Sequence, residues 1–364
     1  MPTIEPERLT EAATAILEGM GTPPAQAATV AASLVDADLS GHGSHGTIRL
    51  SSSYAGMVSS GHIEPAQTPT VTAVDGSTVQ VDGRRGFGQL TGREAVDVGI
   101  ETAAEHGVSV VGIRNGSHLG RIGEWAARAA DHGMIFVALV NTGLATKTVT
   151  VPGSAERLLS TNPIGFGIPG FDALEFPVVV DQATSQVAHG KITARSVDKD
   201  EVPPGWTIDD NGEPVRDAGQ FEDGVGAILP LGGTNTGHKG FGLAVAMELI
   251  AGILGGSRVF GQGESGNVNN GAAFFVVDPL VFTDRETAGS RVAALAEHLR
   301  AADHSTAVPT PDSMKGDKLL LPGEPEHMTA QERRDTGIPV SVERIAAMQD
   351  TAAELGVRAR LNLE

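Results

Sequence analysis

Residues 93–141, REAVDVGIETAAEHGVSVVGIRNGSHLGRIGEWAARAADHGMIFVALVN, decide the fold. A helical pattern over 93–106 ends at a glycine and is followed by an apolar strand over 108–113. The same pattern then repeats, with a helix over 121–132, another terminal glycine and a strand over 135–141. Helices that alternate with continuous apolar strands are typical of an α/β layer around a buried sheet. The stretch therefore predicts an α/β fold.

The sequence before this stretch predicts two helices and two short strands. The helices span 7–20 and 24–39, and Thr22 is a candidate cap for the second. Short β-branched runs at 70–74 and 78–81 suggest strands in a small separate unit.

The sequence after this stretch predicts an isolated strand at 176–181 and two further helices. The helix over 241–254 carries an apolar stripe and a single charge, Glu248, so it is expected to be buried. A C-terminal helix over 340–358 follows a polar lead at 328–337, which suggests a surface connection back to the N-terminal helices.

Composition excludes several classes of function. The 364 residues suggest two domains or one large elaborated domain. A formal net charge of −19 makes nucleic acid and anionic membranes unfavourable partners. The absence of cysteine excludes disulfides, a thiol nucleophile, thiolate zinc sites and iron–sulfur clusters. The N-terminus has no signal-peptide pattern and no uninterrupted apolar run approaches the ~18 residues of a membrane span, so a soluble cytoplasmic protein is expected.

Glycine-rich segments do not form a conventional Rossmann fingerprint. Three segments match G-x-G-x-x-G, at 41–46, 165–170 and 261–266, but none lies cleanly between a strand and a helix. GFGQLTG at 86–92 precedes a helix but has one extra spacer residue. With 47 glycines in the chain, such matches arise by chance.

The segment GHGSHG at 41–46 has three interpretations. His42 and His45 could share a metal ion with His118 or Asp181, or the segment could be a simple glycine-rich turn.

In the third interpretation the segment is a substrate-binding corner. Ser44 and His45 would offer hydrogen bonds there, and Arg49 would offer a guanidinium fork for a carboxylate.

His118 lies on a loop between a predicted strand and helix, where ligands usually bind in α/β folds. Its ordinary pKa of ~6.5 suits a general acid or base. The alternative is a surface or capping histidine.

Two later regions offer anion and ribose contacts. Gly237 to Gly240, with Lys239, stand immediately before the apolar helix, where backbone N–H groups and a lysine would hold a phosphate. The alternative is that these glycines only allow close helix packing. Asp181 follows a strand and could orient a ribose or a catalytic histidine, or cap the next turn.

Seven segments in order resemble the malate/L-lactate dehydrogenase family, which also contains ureidoglycolate and sulfolactate dehydrogenases and piperideine-2-carboxylate reductases. They are SHGTIRL (44–50), GSHLG (116–120), TNP (161–163), DQATS (181–185), AHGKI (188–192), GHKGFGLA (237–244) and LLPGEPE (320–326). The resemblance implies NAD or NADP binding without a Rossmann motif, a small carboxylic acid substrate and a homodimer.

The resemblance also implies the architecture. It is a three-layer α/β arrangement around a mixed sheet, with a smaller domain and a helical domain that joins both termini. The corresponding boundaries are 1–65 plus 325–364 for the helical domain, 66–135 for the small α/β domain and 136–324 for the cofactor-binding domain.

Site residues follow from the same resemblance. His118 would be the proton donor and acceptor, with His45 and Arg49 as further catalytic groups. Ser44, Arg49 and Thr142 would bind the substrate. The implied cofactor-binding residues are Thr142, Asn162, Asp181, Gln182, Ala183, His189, Lys191, Lys239, Gly240, Pro322, Gly323 and Glu324. No metal is implied.

Some residues depart from the family pattern. The family commonly has a proline and a double glycine where this chain has VPGSAE at 151–156, and GTNP where it has STNP at 160–163. The aromatic residue expected four positions after Arg49 is replaced by Ser53, with Tyr54 one position further on. Because these changes lie near the pocket, they weaken the transfer of any particular substrate.

The leading hypothesis is reversible hydride transfer between a nicotinamide and C2 of a small 2-oxo or 2-hydroxy carboxylic acid. His118 would handle the proton and Arg49 would hold the carboxylate. The alternatives are reduction of a cyclic imine carboxylate, a metal-dependent hydrolase or lyase built on His42, His45 and His118, and a non-catalytic binding protein.

Overall fold

A computed structural model describes residues 1–145, 147–264, 266, 268–305, 307–311, 314–315, 318–361 and 363, without the side chains of 197 and 198. The helices are α1 (Pro6–Gly19), α2 (Pro24–Leu39), α3 (Ala55–Ser59), α4 (Gly88–His106), α5 (Ile122–Asp131), α6 (His189–Asp198), α7 (Ala218–Glu222), α8 (Gly233–Gly255), α9 (Arg285–Arg300), α10 (Glu324–Thr336) and α11 (Val342–Glu354). The strands are β1 (Thr3–Ile4), β2 (Thr70–Asp75), β3 (Thr78–Asp82), β4 (Val108–Arg114), β5 (Ile135–Asn141), β6 (Ile164–Ile168), β7 (Val178–Gln182), β8 (Thr207–Ile208), β9 (Ala227–Ile228), β10 (Gly271–Val277) and β11 (Ile338–Pro339).

A mixed seven-stranded sheet forms the centre of the fold, with strand order β2-β3-β4-β10-β5-β6-β7. β3 and β4 are parallel, and the other neighbours are antiparallel. β4 and β5 flank β10 and run in the same direction, so their carboxyl ends lie at one edge of the sheet. The start of β6 and the end of β7 lie at that same edge, because Leu139 pairs with Ile164 and Ile164 with Gln182.

Helices cover both faces of this sheet. Along β5, Phe136, Ala138 and Val140 pack in one cluster with α4 and α5, whereas Val137 and Leu139 pack against α8. Successive strand residues point to opposite faces, so both faces are buried, which explains the continuous apolar run in the sequence. The predicted three-layer α/β arrangement is confirmed.

The strands near residues 70–82 do not form the separate unit that their sequence suggested. β3 pairs in parallel with β4, so β2 and β3 make one edge of the main sheet. In the same sheet, β10 lies between β4 and β5 and pairs with both strands. The domain boundaries drawn from the resemblance remain a prediction.

The terminal helices form a separate hydrophobic cluster. Residues of α1, α2 and α11 pack together there, and the pairing of β1 with β11 joins the two ends of the chain. The predicted surface connection at 328–337 is confirmed: it is mostly the exposed helix α10, from which Arg333 donates a hydrogen bond to Asp38 O of α2. The predicted cap Thr22 is wrong, because Pro23 occupies the N-cap of α2 without a side-chain hydrogen bond.

α8 is less buried than its composition suggested. Met247 and Glu248 face inward, but Leu243 and Leu254 of the expected buried stripe are exposed, together with Leu249 and Ile253. The sheet needs only one face of the helix, so the opposite apolar face reaches the surface.

By length and composition α8 is also long and apolar enough to cross a membrane, although only a third of its most apolar stretch is buried in this fold. The inner face of α8 packs against β5, β6 and β10. A single helix of this kind is weak evidence for a span, since core helices share its composition.

Candidate active site

The loop after β4 carries His118 and is held mainly by Asn270. The N–H of Asn270 donates to Ser117 O (2.8 Å), and Asn270 Oδ1 accepts from the N–H of Leu119 (3.0 Å). Asn270 Nδ2 also donates to Asn141 O at the end of β5 (2.8 Å). Asn270 therefore joins the His118 loop to the carboxyl end of the neighbouring strands. No local sequence pattern indicates this role, because the contacts join residues more than a hundred positions apart.

The start of α4 supports the same loop from the other side. A Cβ on Gly88 would lie 2.0 Å from His118 O, so only glycine allows this approach. A Cβ on Gly92 would lie 2.4 Å from the Trp125 ring. Gly88 and Gly92 of GFGQLTG thus allow α4 to pack closely against the His118 loop and Trp125.

The rings of His45 and His118 stack, with centroids 5.3 Å apart and an interplanar angle of 5°. Burial lowers the pKa of His45 to about 3, with nearby cations, Arg49 foremost, acting in the same direction. Burial, Arg49 and His45 also lower the pKa of His118 well below its usual value. Both imidazoles are therefore neutral at neutral pH, and neutral imidazole can donate at one nitrogen and accept at the other.

Tyr54 contacts His118 directly. Its hydroxyl lies 2.8 Å from His118 Nδ1 and receives a hydrogen bond from Gln89 Nε2 (2.6 Å). Residues 50–54 form a π-helical turn, which accommodates one residue more than an α-helical turn. The extra residue explains why the aromatic side chain stands five positions after Arg49 and still reaches the site.

Arg49 and Ser44 form the predicted substrate corner beside these rings. Arg49 Nε donates to Ser44 O (2.7 Å), and burial lowers the pKa of the guanidinium. α6 closes the corner, because a Cβ on Gly190 would lie 3.1 Å from Ser44 Cβ and 3.7 Å from Arg49 Nη2. The structure thus brings Ser44, His45 and Arg49 together and places His118 beside them. Substrate binding at this corner stays a prediction.

A buried carboxylate holds the backbone of this corner. Asp38 Oδ2 accepts from the N–H and hydroxyl of Thr47 (both 2.9 Å) and pairs with Arg344 (2.5 Å). A Cβ on Gly46 would lie 2.0 Å from Asp38 Oδ1, so packing requires glycine at the last position of GHGSHG.

Three predicted cofactor segments meet at the sheet edge described above. Thr142 follows β5, Asn162 precedes β6, and Asp181 with Gln182 ends β7. Thr142 Oγ1 is buried and has no hydrogen-bond partner within the described residues. The Asn162 side chain instead donates to Glu248 Oε2 (2.8 Å) and Ala244 O (3.1 Å), which ties α8 to the sheet.

Asp181 accepts a hydrogen bond from the N–H of Gly123 at the start of α5 (2.7 Å). Arg121, also buried, pairs with Asp36 (2.7 Å), and the charge of Asp181 helps to raise the pKa of Arg121. The capping alternative for Asp181 is therefore realised at α5 rather than at the turn that follows Asp181. Arg121 lowers the pKa of His45 and is a cation near the site that sequence reasoning missed.

The start of α8 lies against the loop after β7. The N–H of Leu231 donates to Thr184 O (2.9 Å), and the N–H of Gly240 donates to Leu231 O (3.1 Å). α8 bends at Thr236, whose φ and ψ of −130° and 18° are not helical. The longer part of the helix thus begins at Gly237, close to the predicted position, with Lys239 exposed in its first turn.

The other residues predicted to bind the cofactor lie at the start of α6, in the turn 322–324 and in the loop after β7. His189 begins α6 and lies 3.2 Å from Glu222, and Lys191 is exposed. Pro322 O accepts from the N–H of Val179 (3.3 Å), so the turn 322–324 packs on β7, and Ala183 is half-buried in the loop after β7.

Glu324 forms ion pairs with Arg300 and Lys318. Burial acts to raise its pKa, but hydrogen bonds from the N–H of Leu321, Lys318 (2.6 Å) and Arg300 (3.1 Å) lower it overall. This carboxylate therefore holds the turn 322–324 in place.

The other interpretations of the glycine-rich segments lose support. In GFGIPG, a Cβ on Gly167 would lie 2.2 Å from Ala126 O, so this glycine lets α5 pack on β6. Ser265 of GQGESG lies outside the described residues. His42 pairs with Glu326 (3.2 Å), and no three His, Asp or Glu side chains of the described residues are grouped to hold a metal ion.

Comparisons with known proteins identify the family of this chain. The family model described as malate/L-lactate dehydrogenase matches residues 4–349. Hydroxycarboxylate dehydrogenase B of Escherichia coli O157:H7 is 32% identical over 348 residues, which cover 94% of this chain and 91% of that protein.

Two solved structures share the whole fold. Malate dehydrogenase from Entamoeba histolytica has a TM-score of 0.89 at 26% identity and covers 98% of both chains. Δ1-Piperideine-2-carboxylate reductase from Pseudomonas syringae pvar. tomato has a TM-score of 0.82 at 26% identity, covering 97% of this chain and 100% of that chain. The chain therefore belongs to the malate/L-lactate dehydrogenase family and is an oxidoreductase, a hydroxycarboxylate dehydrogenase.

Proposed function

We propose that the protein catalyses reversible hydride transfer between NAD or NADP and C2 of a small 2-oxo or 2-hydroxy carboxylic acid of the malate or lactate type. The observation that carries this proposal is the stacked His45–His118 pair beside the Arg49 guanidinium. A cation for the substrate carboxylate and a histidine for the substrate oxygen are the two groups that such a reaction requires.

Arg49 binds the carboxylate and thereby orients the substrate. Its guanidinium can donate two parallel hydrogen bonds, which fix both position and rotation. The bound carboxylate also offsets the charge of Arg49, which is one cause of the low pKa of His118. Substrate binding therefore favours the protonated histidine that gives a proton to the 2-oxo oxygen during reduction.

The residues at the sheet edge fit a nicotinamide cofactor. Thr142 offers an unpaired buried hydroxyl, Gln182 is exposed after β7, and Lys239 offers a cation for a phosphate. When bound, the nicotinamide supplies or accepts the hydride. Asn162 and Glu324 support the site through α8 and the turn 322–324, since their side chains are already bonded there.

The test is a panel of pyruvate, oxaloacetate and a cyclic imine carboxylate, each with NADH and NADPH, followed at the nicotinamide absorbance. Turnover of oxo acids supports the proposal, and turnover of the imine alone would assign the protein to imine reduction. His118→Asn should lower kcat by about 10²- to 10⁴-fold. Arg49→Met should raise KM for the carboxylate substrate. Full activity in the His118 variant would contradict the proton role.

The working unit is a homodimer formed through the outer face of α8. This helix exposes the apolar side chains of Leu243, Leu249, Ile253 and Leu254. Apolar patches of this kind mark interaction sites, and a second copy of the chain is the partner expected for this family. A cytoplasmic location stays a prediction.

A further inference from the structure

The two C-terminal helices α10 and α11 contact the GHGSHG segment near both of its ends. Near its start, His42 Nε2 lies 3.2 Å from Glu326 Oε1 of α10. Just after its end, Arg344 of α11 contacts Thr47 and the buried carboxylate of Asp38. The partners are 284 positions apart for His42 and Glu326 and 306 positions apart for Asp38 and Arg344. The fold therefore brings the end of the chain to the predicted substrate corner.

The contact of α11 with this corner passes through the Asp38 carboxylate. Asp38 has 1% of its side chain exposed and Arg344 has 13%. Arg344 Nη2 donates to Asp38 Oδ2 (2.5 Å) and also to Thr47 Oγ1. The same Asp38 oxygen accepts from the N–H and the hydroxyl of Thr47 (both 2.9 Å). Because a buried carboxylate is unfavourable unless it is paired, the ion pair with Arg344 stabilises Asp38 in this position.

The position of the Asp38 carboxylate in turn determines where the backbone of the corner lies. A Cβ on Gly46 would lie 2.0 Å from Asp38 Oδ1, so the carboxylate lies directly against the chain at this glycine. Ser44 and Arg49 flank this stretch, and Arg49 Nε donates to Ser44 O (2.7 Å). A shift of the backbone at 46–47 would therefore move both groups of the corner.

We propose that Arg344 is a positioning residue of the active site, because through Asp38 it fixes the backbone that directs Arg49 towards the substrate carboxylate. This inference rests on the proposed function, since that function gives Arg49 its role. The contact of His42 with Glu326 secures the other end of the segment. Burial acts to raise the pKa of Glu326, but the hydrogen bond from His42 lowers it overall.

The predicted cofactor edge is held by other contacts. Asn270 Nδ2 donates to Asn141 O at the end of β5, and Asp181 at the end of β7 accepts from the N–H of Gly123. A change at Arg344 should therefore affect the substrate and the cofactor differently. A general loss of folded protein would instead lower kcat without such a difference.

The first test is steady-state kinetics of the full-length protein with the best 2-oxo acid and its preferred nicotinamide cofactor. Arg344→Met should raise KM for the 2-oxo acid about tenfold or more, whereas KM for the cofactor should stay within about twofold. Arg344→Lys keeps the positive charge and should recover part of the loss. Arg334→Met makes the same change at an exposed arginine of α10 and should alter neither KM.

The second test examines the segment without turnover. Hydrogen–deuterium exchange of the full-length protein, measured by mass spectrometry without ligands, reports the protection of peptides that cover 41–50. Arg344→Met should speed exchange there about tenfold or more, while peptides over β5 keep their rates. Thr47→Val removes the hydroxyl that donates to Asp38, so it should act in the same direction with a smaller effect. This milder variant, with Arg344→Lys, tests the inference even where Arg344→Met does not fold.

Two results would overturn the inference. One is unchanged exchange over 41–50 in the folded Arg344 and Thr47 variants. The other is an Arg344 variant in which the KM values for the 2-oxo acid and the cofactor are both unchanged or rise together. Failure of the proposed function is a separate result, since it would show as no turnover of any 2-oxo acid by the unaltered protein, whatever the exchange rates over 41–50.

Discussion

Gly88→Ala tests how closely α4 holds the His118 loop. The added Cβ would lie 2.0 Å from His118 O and 2.3 Å from its carbonyl carbon, where ordinary contact begins near 3.4 Å. These are backbone atoms and cannot rotate away. Gly88 is not in the left-handed region, so the substitution tests space alone. The loop and the helix must therefore separate by about 1.4 Å.

This displacement should lower kcat/KM strongly and the free energy of unfolding only moderately. Overpacking of this kind typically costs about 1–3 kcal/mol of unfolding free energy. For a chain of this length that corresponds to a fall in Tm of about 1–4 °C. Misplacing a catalytic group by about 1 Å lowers the rate roughly 10²-fold, so kcat/KM should fall by about two orders of magnitude.

The assay is NAD(P)H oxidation with the best 2-oxo acid, alongside thermal unfolding monitored by circular dichroism. Gly56→Ala is the matched control, because Gly56 lies in helix α3 with no atom within 4 Å of the new Cβ. The control should keep full activity and an equal or higher Tm. A Gly88→Ala enzyme with kcat/KM within about threefold of the original would refute the reasoning.

Three further predictions concern pH, the sheet edge and assembly. Burial and Asp36 raise the pKa of Glu124 to about 7, so the folded state binds the proton more tightly and the free energy of unfolding should fall as pH rises from about 4.5 to 7. Glu124→Gln should remove up to about 3 kcal/mol of this loss in urea titrations, and an unchanged loss would contradict the reasoning. Asn162→Ala removes a partner of buried Glu248 and should lower the free energy of unfolding by about 1–3 kcal/mol, measured by urea denaturation, whereas a loss below about 0.5 kcal/mol would argue against this tie. Ile253→Asp on the outer face of α8, where Ile253 is 74% exposed, should convert the dimer to monomers, as measured by light scattering. The control Val342→Asp on α11, where Val342 is 65% exposed, should leave the dimer intact. Dimers in both variants would place the interface elsewhere.

The sequence by its local pattern determined the layers and pointed to the residues that we propose as the reacting groups. Periodicity over 93–141 identified both helices and both central strands, because strands buried on both faces and amphipathic helices differ in local pattern. The loop position of His118 and the spacing of Ser44, His45 and Arg49 indicated a site by local chemistry alone. The resemblance to the family was likewise carried by short segments in order.

Tertiary structure alone decided how these groups are held. Asn270 reaches the His118 loop across more than 150 positions, and Tyr54 meets His118 across 64. Such contacts leave no pattern in the local sequence, because the partners are far apart along the chain and become neighbours only when it folds. The same holds for the exposed face of α8, since an apolar composition does not reveal which face the sheet will cover. Local pattern thus specified the elements and their chemistry, while long-range packing specified the orientation of His118.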